Sequence, residues 1–145
     1  MKYLDALIIG AGFSGLYQLH CLRDKLKLNT LVVEEGKDIG GTWYWNTYPG
    51  ARCDSESFTY GFTFSEKIFK NWTWKERYPK QNVILKYLKY FSNELKLKKN
   101  IVFNEKVISA KYLEKNNLWK NQTNNKKKYY AKDLICADGS LSSIN

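Results

Sequence analysis

The stretch Gly10-Ala-Gly-Phe-Ser-Gly15 decides the fold of this 145-residue chain, because it fits the pattern G-x-G-x-x-G between a strand-like and a helix-like segment. Residues 3–9 form a short apolar run, typical of a buried parallel strand. Apolar positions recur at helical spacing from Ser14 to about Leu26, and Ser14 stands where it can satisfy free amides of the first turn. The β-branched run Thr30–Val33 follows. This order predicts a βαβ unit with parallel strands and a right-handed crossover.

The remainder of the chain divides into an aromatic-rich loop, a helix and several short strands. Residues 35–64 are typical of an ordered loop, whose length favours a functional role. Apolar positions from Lys80 to Leu97 define one helical face. Strand-like segments separated by turn signals occupy residues 101–103, 107–113, 118–122 and 129–136. We therefore expect one α/β domain over residues 1–145, of Rossmann type, with a parallel sheet and a small antiparallel β-meander in the C-terminal third.

Composition excludes several classes of function. The net charge of +10 comes from 24 basic and 14 acidic residues, but the lysines are spread and only three residues are arginine. We therefore expect no nucleic-acid partner. Three separated cysteines and a single histidine predict neither a metal site nor a disulfide framework. No apolar run is long enough to cross a membrane and no secretory pattern occurs, so we expect a cytoplasmic protein without membrane contact.

The glycine pattern predicts a dinucleotide site. Gly10 permits a tight turn, Gly12 lets a pyrophosphate approach the backbone, and Gly15 lets the helix pack closely on the strand. Glu34, nineteen positions after Gly15, stands where a carboxylate binds ribose hydroxyls and repels a 2′-phosphate. The site is therefore expected to take FAD or NAD and not NADP. Two alternatives stay open: Glu35 in place of Glu34, and a glycine-rich turn without a ligand.

Two further motifs carry a family resemblance. Residues 40–46 read Gly-Gly-Thr-Trp-Tyr-Trp-Asn, and residues 48–54 read Tyr-Pro-Gly-Ala-Arg-Cys-Asp. From about Leu4 to Leu141 the chain resembles the N-terminal FAD domain of Baeyer–Villiger monooxygenases. The resemblance implies FAD and NADPH as cofactors, O2 as co-substrate, and a small-molecule ketone into which one oxygen atom is inserted. It equally implies oxygenation of a heteroatom substrate as an alternative outcome.

The resemblance also implies roles for individual residues. Gly12, Phe13 and Ser14 would lie along the FAD pyrophosphate, with Glu34 on the adenosine ribose and the backbone of Val107 on the adenine. Asp54 would orient a catalytic arginine that these residues do not contain. The residues implied at the flavin end are Gly41, Thr42, Trp43, Tyr44, Trp45, Asp54 and Tyr60, and those of the segment that NADPH also touches are Arg52, Cys53 and Asp54.

Each of these roles has a plainer structural alternative. The aromatic residues can serve only to fill a core, as the alternation of Phe58, Tyr60, Phe62 and Phe64 favours for some of them. Asp54 can be an ordinary turn residue.

A complete oxygenation needs parts that these 145 residues do not contain. The NADPH-binding glycine fingerprint and the catalytic arginine of the family have no counterpart in the sequence. A strand that ends in glycine shortly before Asn145 favours a domain taken from something longer. We expect the chain to bind FAD weakly at best and not to complete the reaction alone. Two origins stay open: a fragment, or one piece of a split gene that pairs with a separately encoded remainder. A flavin N- or S-oxygenase fragment and a non-catalytic remnant of the FAD fold are the competing readings.

Overall fold

Six strands form one mixed sheet in the computed structural model, which describes residues 3–140. In chain order they are β1 (Tyr3–Ile9), β2 (Thr30–Val33), β3 (Ile101–Val102), β4 (Val107–Leu113), β5 (Leu118–Thr123) and β6 (Lys128–Cys136). The order across the sheet is β3-β2-β1-β6-β5-β4. Pairings among β3, β2, β1 and β6 are parallel, whereas β6, β5 and β4 pair antiparallel. The Rossmann-type fold with an antiparallel meander is confirmed, and β6 belongs to both parts.

Four α-helices occur within the described residues, and their ends differ from the sequence prediction. They are α1 (Phe13–His20), α2 (Thr42–Trp45), α3 (Glu66–Lys70) and α4 (Gln81–Glu94). The prediction that Ser14 caps the first helix is wrong, because Gly12 is the N-cap and Ser14 lies exposed inside the first turn. Beyond His20 the chain continues as a π-helical turn over Cys21–Lys25, closed by a hydrogen bond from the Leu26 N–H to the Cys21 carbonyl.

Two other boundaries are shorter than predicted. The helix expected to reach Leu97 ends at Glu94, because the chain turns at Lys96, whose φ of 53° is left-handed. The strand expected over residues 101–103 ends at Val102. Leu141, where the family resemblance ends, lies outside the described residues. Both differences arise at element ends, where local backbone geometry decides.

The alternating aromatics of residues 58–64 do not form a strand. A 3₁₀ turn covers Ser57–Thr59, and Phe58 is 62% exposed, so this residue does not fill the core. Tyr60, Phe62 and Phe64 pack against the main core. The Phe62 N–H donates to the hydroxyl of Tyr87 on α4, at 2.6 Å, instead of to a neighbouring strand. A buried helix therefore provides the partner that strand pairing would have supplied.

The sheet has a core on each face. The main core combines Ile8 and Val32 with α1 and α4, where Leu16 and Phe91 are fully buried. The second core contains Leu4, Leu7, Val33 and Ala131, with Val107 and Tyr129 packed against it. Val107 begins β4, the strand at the far end of the sheet from β2. The meander therefore curls back over the second face of the parallel strands.

An ion pair between a buried carboxylate and a partly exposed lysine joins the chain between β3 and β4 to the meander. The Glu105 side chain is 1% exposed, and its carboxylate accepts hydrogen bonds from Lys127 Nζ at 2.7 Å and from the Tyr129 hydroxyl at 2.9 Å. Burial acts to raise the pKa of Glu105, but these hydrogen bonds outweigh it and the pKa lies below its ordinary value. Burial and the bond to Glu105 raise the pKa of Tyr129 to about 12. The hydroxyl is therefore a proton donor over the whole neutral range.

No helix within residues 3–140 has the length and apolar character needed to cross a bilayer. In the same part of the chain, Cys21, Cys53 and Cys136 are unpaired thiols, and no group of three His, Cys, Asp or Glu side chains is arranged as metal ligands are.

Replacing Gly15 with alanine tests the packing of α1 on β1. Helix propensity alone would make Gly15→Ala stabilising by about 1 kcal/mol. A Cβ at this position would instead lie 1.9 Å from the Gly10 carbonyl oxygen. We expect a loss of unfolding free energy of about 2 kcal/mol or more in urea denaturation, against a change within about 0.5 kcal/mol for the exposed neighbour Ser14→Ala. A stabilised Gly15→Ala protein would contradict the packing.

The raised pKa of Tyr129 predicts a loss of stability in alkali. A tyrosine in the unfolded chain releases its proton near pH 10, about two units before Tyr129 does so in the folded protein. Between these pH values the folded state holds more protons, so the free energy of unfolding falls as pH rises. Urea denaturation at a series of pH values should show a shallower fall for Tyr129→Phe than for the wild type. Equal slopes would disprove the assignment.

Candidate functional site: a glycine turn beside a buried carboxylate

The ends of β1, β2 and β6 meet at the glycine turn. The Gly10 N–H donates to the Val33 carbonyl at 2.9 Å, and the Ala137 N–H donates to the Ile9 carbonyl at 2.8 Å. Gly10 has a φ of 97°, and a Cβ there would lie 2.6 Å from the Ala137 carbonyl oxygen. Only glycine fits this position without strain. The turn is thus held by strands that are remote in sequence.

The first turn of α1 has no side-chain cap. Its N-cap is Gly12, and the first helical hydrogen bond runs from the Leu16 N–H to the Gly12 carbonyl at 3.0 Å. The backbone N–H groups of Phe13, Ser14 and Gly15 precede that bond, at the positive end of the helix dipole. Such a helix start binds anions, phosphates in particular, through backbone groups alone.

A second glycine lies against the turn. Gly41 has a φ of 53°, and a Cβ on it would lie 2.8 Å from the Cα of Gly12. The neighbouring Gly40 N–H donates to the Ala11 carbonyl at 3.0 Å. The two backbones therefore touch, and the start of α2 is brought beside the start of α1. The predicted pyrophosphate residues and the first of the predicted flavin-end residues form one continuous backbone surface.

Glu34 points at the glycine turn. Its side chain is buried, and its carboxylate accepts the Ala11 N–H through Oε2 and the Gly36 N–H through Oε1, each at 2.6 Å. Each carboxylate oxygen has a second lone pair, which can accept a ribose hydroxyl. Glu35 is exposed and pairs with Lys106, with 3.3 Å between Nζ and Oε1. The geometry therefore favours Glu34 over Glu35 as the ribose ligand.

The aromatic residues of the predicted flavin end occupy different environments. Trp43 is 8% exposed, and its Nε1 donates to the Tyr60 hydroxyl at 3.1 Å. The Phe13 and Tyr60 rings meet edge to face, 5.1 Å apart, and burial raises the pKa of Tyr60. The Tyr44 hydroxyl accepts the Lys37 N–H, and the Trp45 residue is 57% exposed. Trp43 therefore lies in the main core with Tyr60 packed against it, whereas Trp45, in edge-to-face contact with Tyr44, remains largely exposed.

Arg52, Cys53 and Asp54 have different environments, and Cys53 belongs to the same buried cluster as Ala11 of the glycine turn. The Arg52 Nη1 donates to Glu76 Oε2 at 2.9 Å and to the Tyr78 carbonyl at 2.8 Å. The Cys53 side chain is buried and the Asp54 side chain is exposed. The charge of Asp54 contributes, after burial and the neighbouring Cys53, to the raised pKa of Tyr60, so Asp54 lies near the aromatic group.

Thr42 and Val107 complete the predicted set. Thr42 begins α2 with an exposed side chain, and the carbonyl of Trp43 in the same helix accepts a hydrogen bond from the Gln81 amide. Val107 is half-buried against the second core, two residues beyond Glu105. Glu105 was not predicted from the sequence. The only available signal was an acidic residue between two strand-like segments, which ordinarily indicates a solvated turn.

These residues fit an adenosine carrying a diphosphate. The donors at the helix start are backbone amides without a side-chain acceptor, the crossing glycines leave no Cβ in the way, and a carboxylate with free lone pairs lies beside them. This combination, in a Rossmann-like fold, defines the class of dinucleotide-binding domains.

Comparison with known proteins agrees with this class and narrows it. The family model of the NAD(P)-binding Rossmann-like domain matches residues 8–73. The Baeyer–Villiger monooxygenase of Pseudooceanicola batsensis is 41% identical over 97% of this chain and 26% of that protein. The phenazine N-monooxygenase of Lysobacter antibioticus is 39% identical over 98% of this chain and 26% of that protein. The structure of OTEMO in complex with FAD and NADP superposes with a TM-score of 0.91 at 38% identity, over 98% of this chain and 26% of that one.

The resemblance to Baeyer–Villiger monooxygenases is confirmed. Over nearly its whole length the chain is homologous to flavoprotein monooxygenases of this type, and it spans about a quarter of the length of the curated relatives that it matches.

Replacing Glu34 with glutamine tests the carboxylate's hold on the turn. One end of the amide must then present an NH2 group to the N–H of Ala11 or Gly36, which leaves a buried donor unsatisfied. We expect Glu34→Gln to lower the free energy of unfolding by about 1–3 kcal/mol in urea. The exposed neighbour Glu35→Gln is the matched control and should change it by less than about 0.5 kcal/mol. Equal effects of the two changes would refute the role of Glu34.

Proposed function

We propose that this chain is the FAD-binding part of an NADPH-dependent flavin monooxygenase, which inserts one oxygen atom of O2 into a ketone. The observation that carries the proposal is the uncapped start of α1 with the Glu34 carboxylate beside it. A diphosphate takes the amides, and the ribose takes the remaining lone pairs of the carboxylate. The 41% identity to a Baeyer–Villiger monooxygenase supports FAD over NAD and the ketone as substrate.

The chain's own residues bind and orient the cofactor. The amides of Phe13, Ser14 and Gly15 donate to the pyrophosphate, and Gly12 and Gly41 allow it to lie against the backbone. Glu34 fixes the adenosine end, with the backbone of Val107 along the adenine. When bound, FAD supplies the site that accepts hydride from NADPH and reacts with O2.

The flavin end is kept dry by the aromatic group. Trp43 and Tyr60 are locked to each other by a hydrogen bond and packed against Phe13, so they form a rigid wall that excludes water. Trp45, which is largely exposed, would present its ring to the flavin. Asp54, exposed near Tyr60, orients an arginine supplied from outside these residues. NADPH approaches along the segment of Arg52 and Cys53 and is bound mainly by groups outside these residues.

Oxygenation of a heteroatom is the second candidate function. It is supported by the 39% identity to a phenazine N-monooxygenase, which is close to the identity with the Baeyer–Villiger enzyme. In both candidates the FAD site has the same residues, because the choice of substrate depends on groups outside this site. The test of FAD binding therefore applies to both.

Titration with FAD tests the proposal. We expect the purified chain to quench flavin fluorescence on binding and Glu34→Gln to raise the dissociation constant about 10- to 100-fold, since one or two hydrogen bonds to a charged group are lost. Glu35→Gln should bind as the wild type does. With FAD, NADPH and a ketone together, we expect no ester from the chain alone.

A colourless chain that neither binds nor quenches FAD would refute the proposal and favour a non-catalytic remnant of the fold. An ester formed with consumption of NADPH would refute the dependence on a further protein part.

A further inference from the structure

Glu105 is hydrogen-bonded through its backbone to Glu34, the residue proposed to bind the adenosine ribose. The Glu105 N–H donates to the Glu34 carbonyl at 3.0 Å, and the neighbouring Asn104 N–H donates to the Gly36 carbonyl at 3.0 Å. Residues 34 and 36 are the two ends of a short turn, which is closed by the hydrogen bond from the Gly36 N–H to the Glu34 carboxylate. The main chain that positions this carboxylate is therefore bound to residues 104–105.

Residues 104–106 are also hydrogen-bonded to the turn between β5 and β6. The Lys106 N–H donates to Asn124 Oδ1 at 3.0 Å, and the Asn124 N–H donates to the Lys106 carbonyl at 2.9 Å. The Glu105 side chain points the same way, to Lys127 and Tyr129. These partners lie on β6 and the turn that leads into it. The segment is thus clamped between the end of β2 and the β5–β6 hairpin.

We propose that Glu105 is a positioning residue for the adenosine end of the cofactor site, an inference that rests on the proposed function. A carboxylate that is 1% exposed is tolerated only with partners, and both partners of the side chain come from the hairpin. Glu105 thereby transmits the position of the hairpin to Glu34, and Glu34 transmits it to the glycine turn through the Ala11 N–H. The antiparallel meander, remote from the fingerprint in sequence, becomes part of the cofactor site.

Three substitutions release the clamp to different degrees. Glu105→Gln removes the charge, Tyr129→Phe removes one hydroxyl, and Lys127→Met removes the cation. The side chain of Lys127 is 57% exposed, so Lys127→Met removes the cation without leaving a cavity in a core. We expect each variant to raise the FAD dissociation constant, by about tenfold for Lys127→Met. Lys127→Arg keeps a cation beside Glu105 and should restore binding.

Two controls separate positioning from general loss of stability. Lys132→Met removes another lysine of β6. Its Nζ lies 2.8 Å from Asp5 Oδ1, and this ion pair does not involve residues 104–106. Ile68→Val should lower the free energy of unfolding by a change remote from Glu105, because Ile68 lies on α3 and is buried in the main core. Both controls should retain wild-type affinity for FAD at a temperature well below their melting temperatures.

Amide hydrogen exchange, measured by NMR without FAD, gives a second readout. We expect faster exchange of the Ala11 and Gly36 amides in Lys127→Met and Glu105→Gln, and no change of these amides in the two controls. If the wild type does not bind FAD, the proposed function fails, while the exchange at Ala11 and Gly36 still supports or overturns the clamp. Wild-type FAD affinity in Glu105→Gln or Lys127→Met, or unaltered exchange at both amides, would overturn the inference.

Discussion

The buried carboxylate of Glu34 is the interaction on which the arrangement of the site depends. It accepts two backbone N–H groups, one from the glycine turn and one from the segment after β2, and it does so where water is almost excluded. A charge in such a place is stable only with these donors. The donors in turn have no other acceptor at that position. These hydrogen bonds hold the carboxylate, the turn and the strand end together, so the geometry of the candidate site depends on the folded chain.

Close backbone contacts fix the rest of the site in the same way. Gly10 lies against Ala137, Gly15 against Gly10, and Gly41 against Gly12. The first and third contacts join segments that are distant in the chain, and all three leave no volume for a side chain. The surface that results is made of backbone donors, which can approach a diphosphate more closely than side chains could. Under the proposed function, the aromatic side chains have a different task, to enclose the flavin end and exclude water from it.

Most of the fold could be predicted from periodicity, and the failures have identifiable causes. Strands such as Thr30–Val33 were predicted to the residue, because a buried parallel strand has a local signature. The prediction that Ser14 caps α1 is wrong because a sequence pattern locates the start of a helix only to within a residue or two. The alternation of residues 58–64 predicts a core role for some of the four aromatics but cannot tell which, since the segment is not a strand; Phe58 is the exposed one.

The sequence by itself determined the βαβ unit, the glycine turn, the acidic residue at the end of β2 and the likeness to Baeyer–Villiger monooxygenases, since each is written in local spacing or in a motif. Only the tertiary structure decided that the meander curls over the second face of the sheet, that Trp43 and Tyr60 turn inward, and that Glu105 is buried beside Glu34. These facts depend on which distant segments meet. A local sequence pattern is compatible with several environments for a given side chain. Burial and long-range hydrogen bonds decide among these environments.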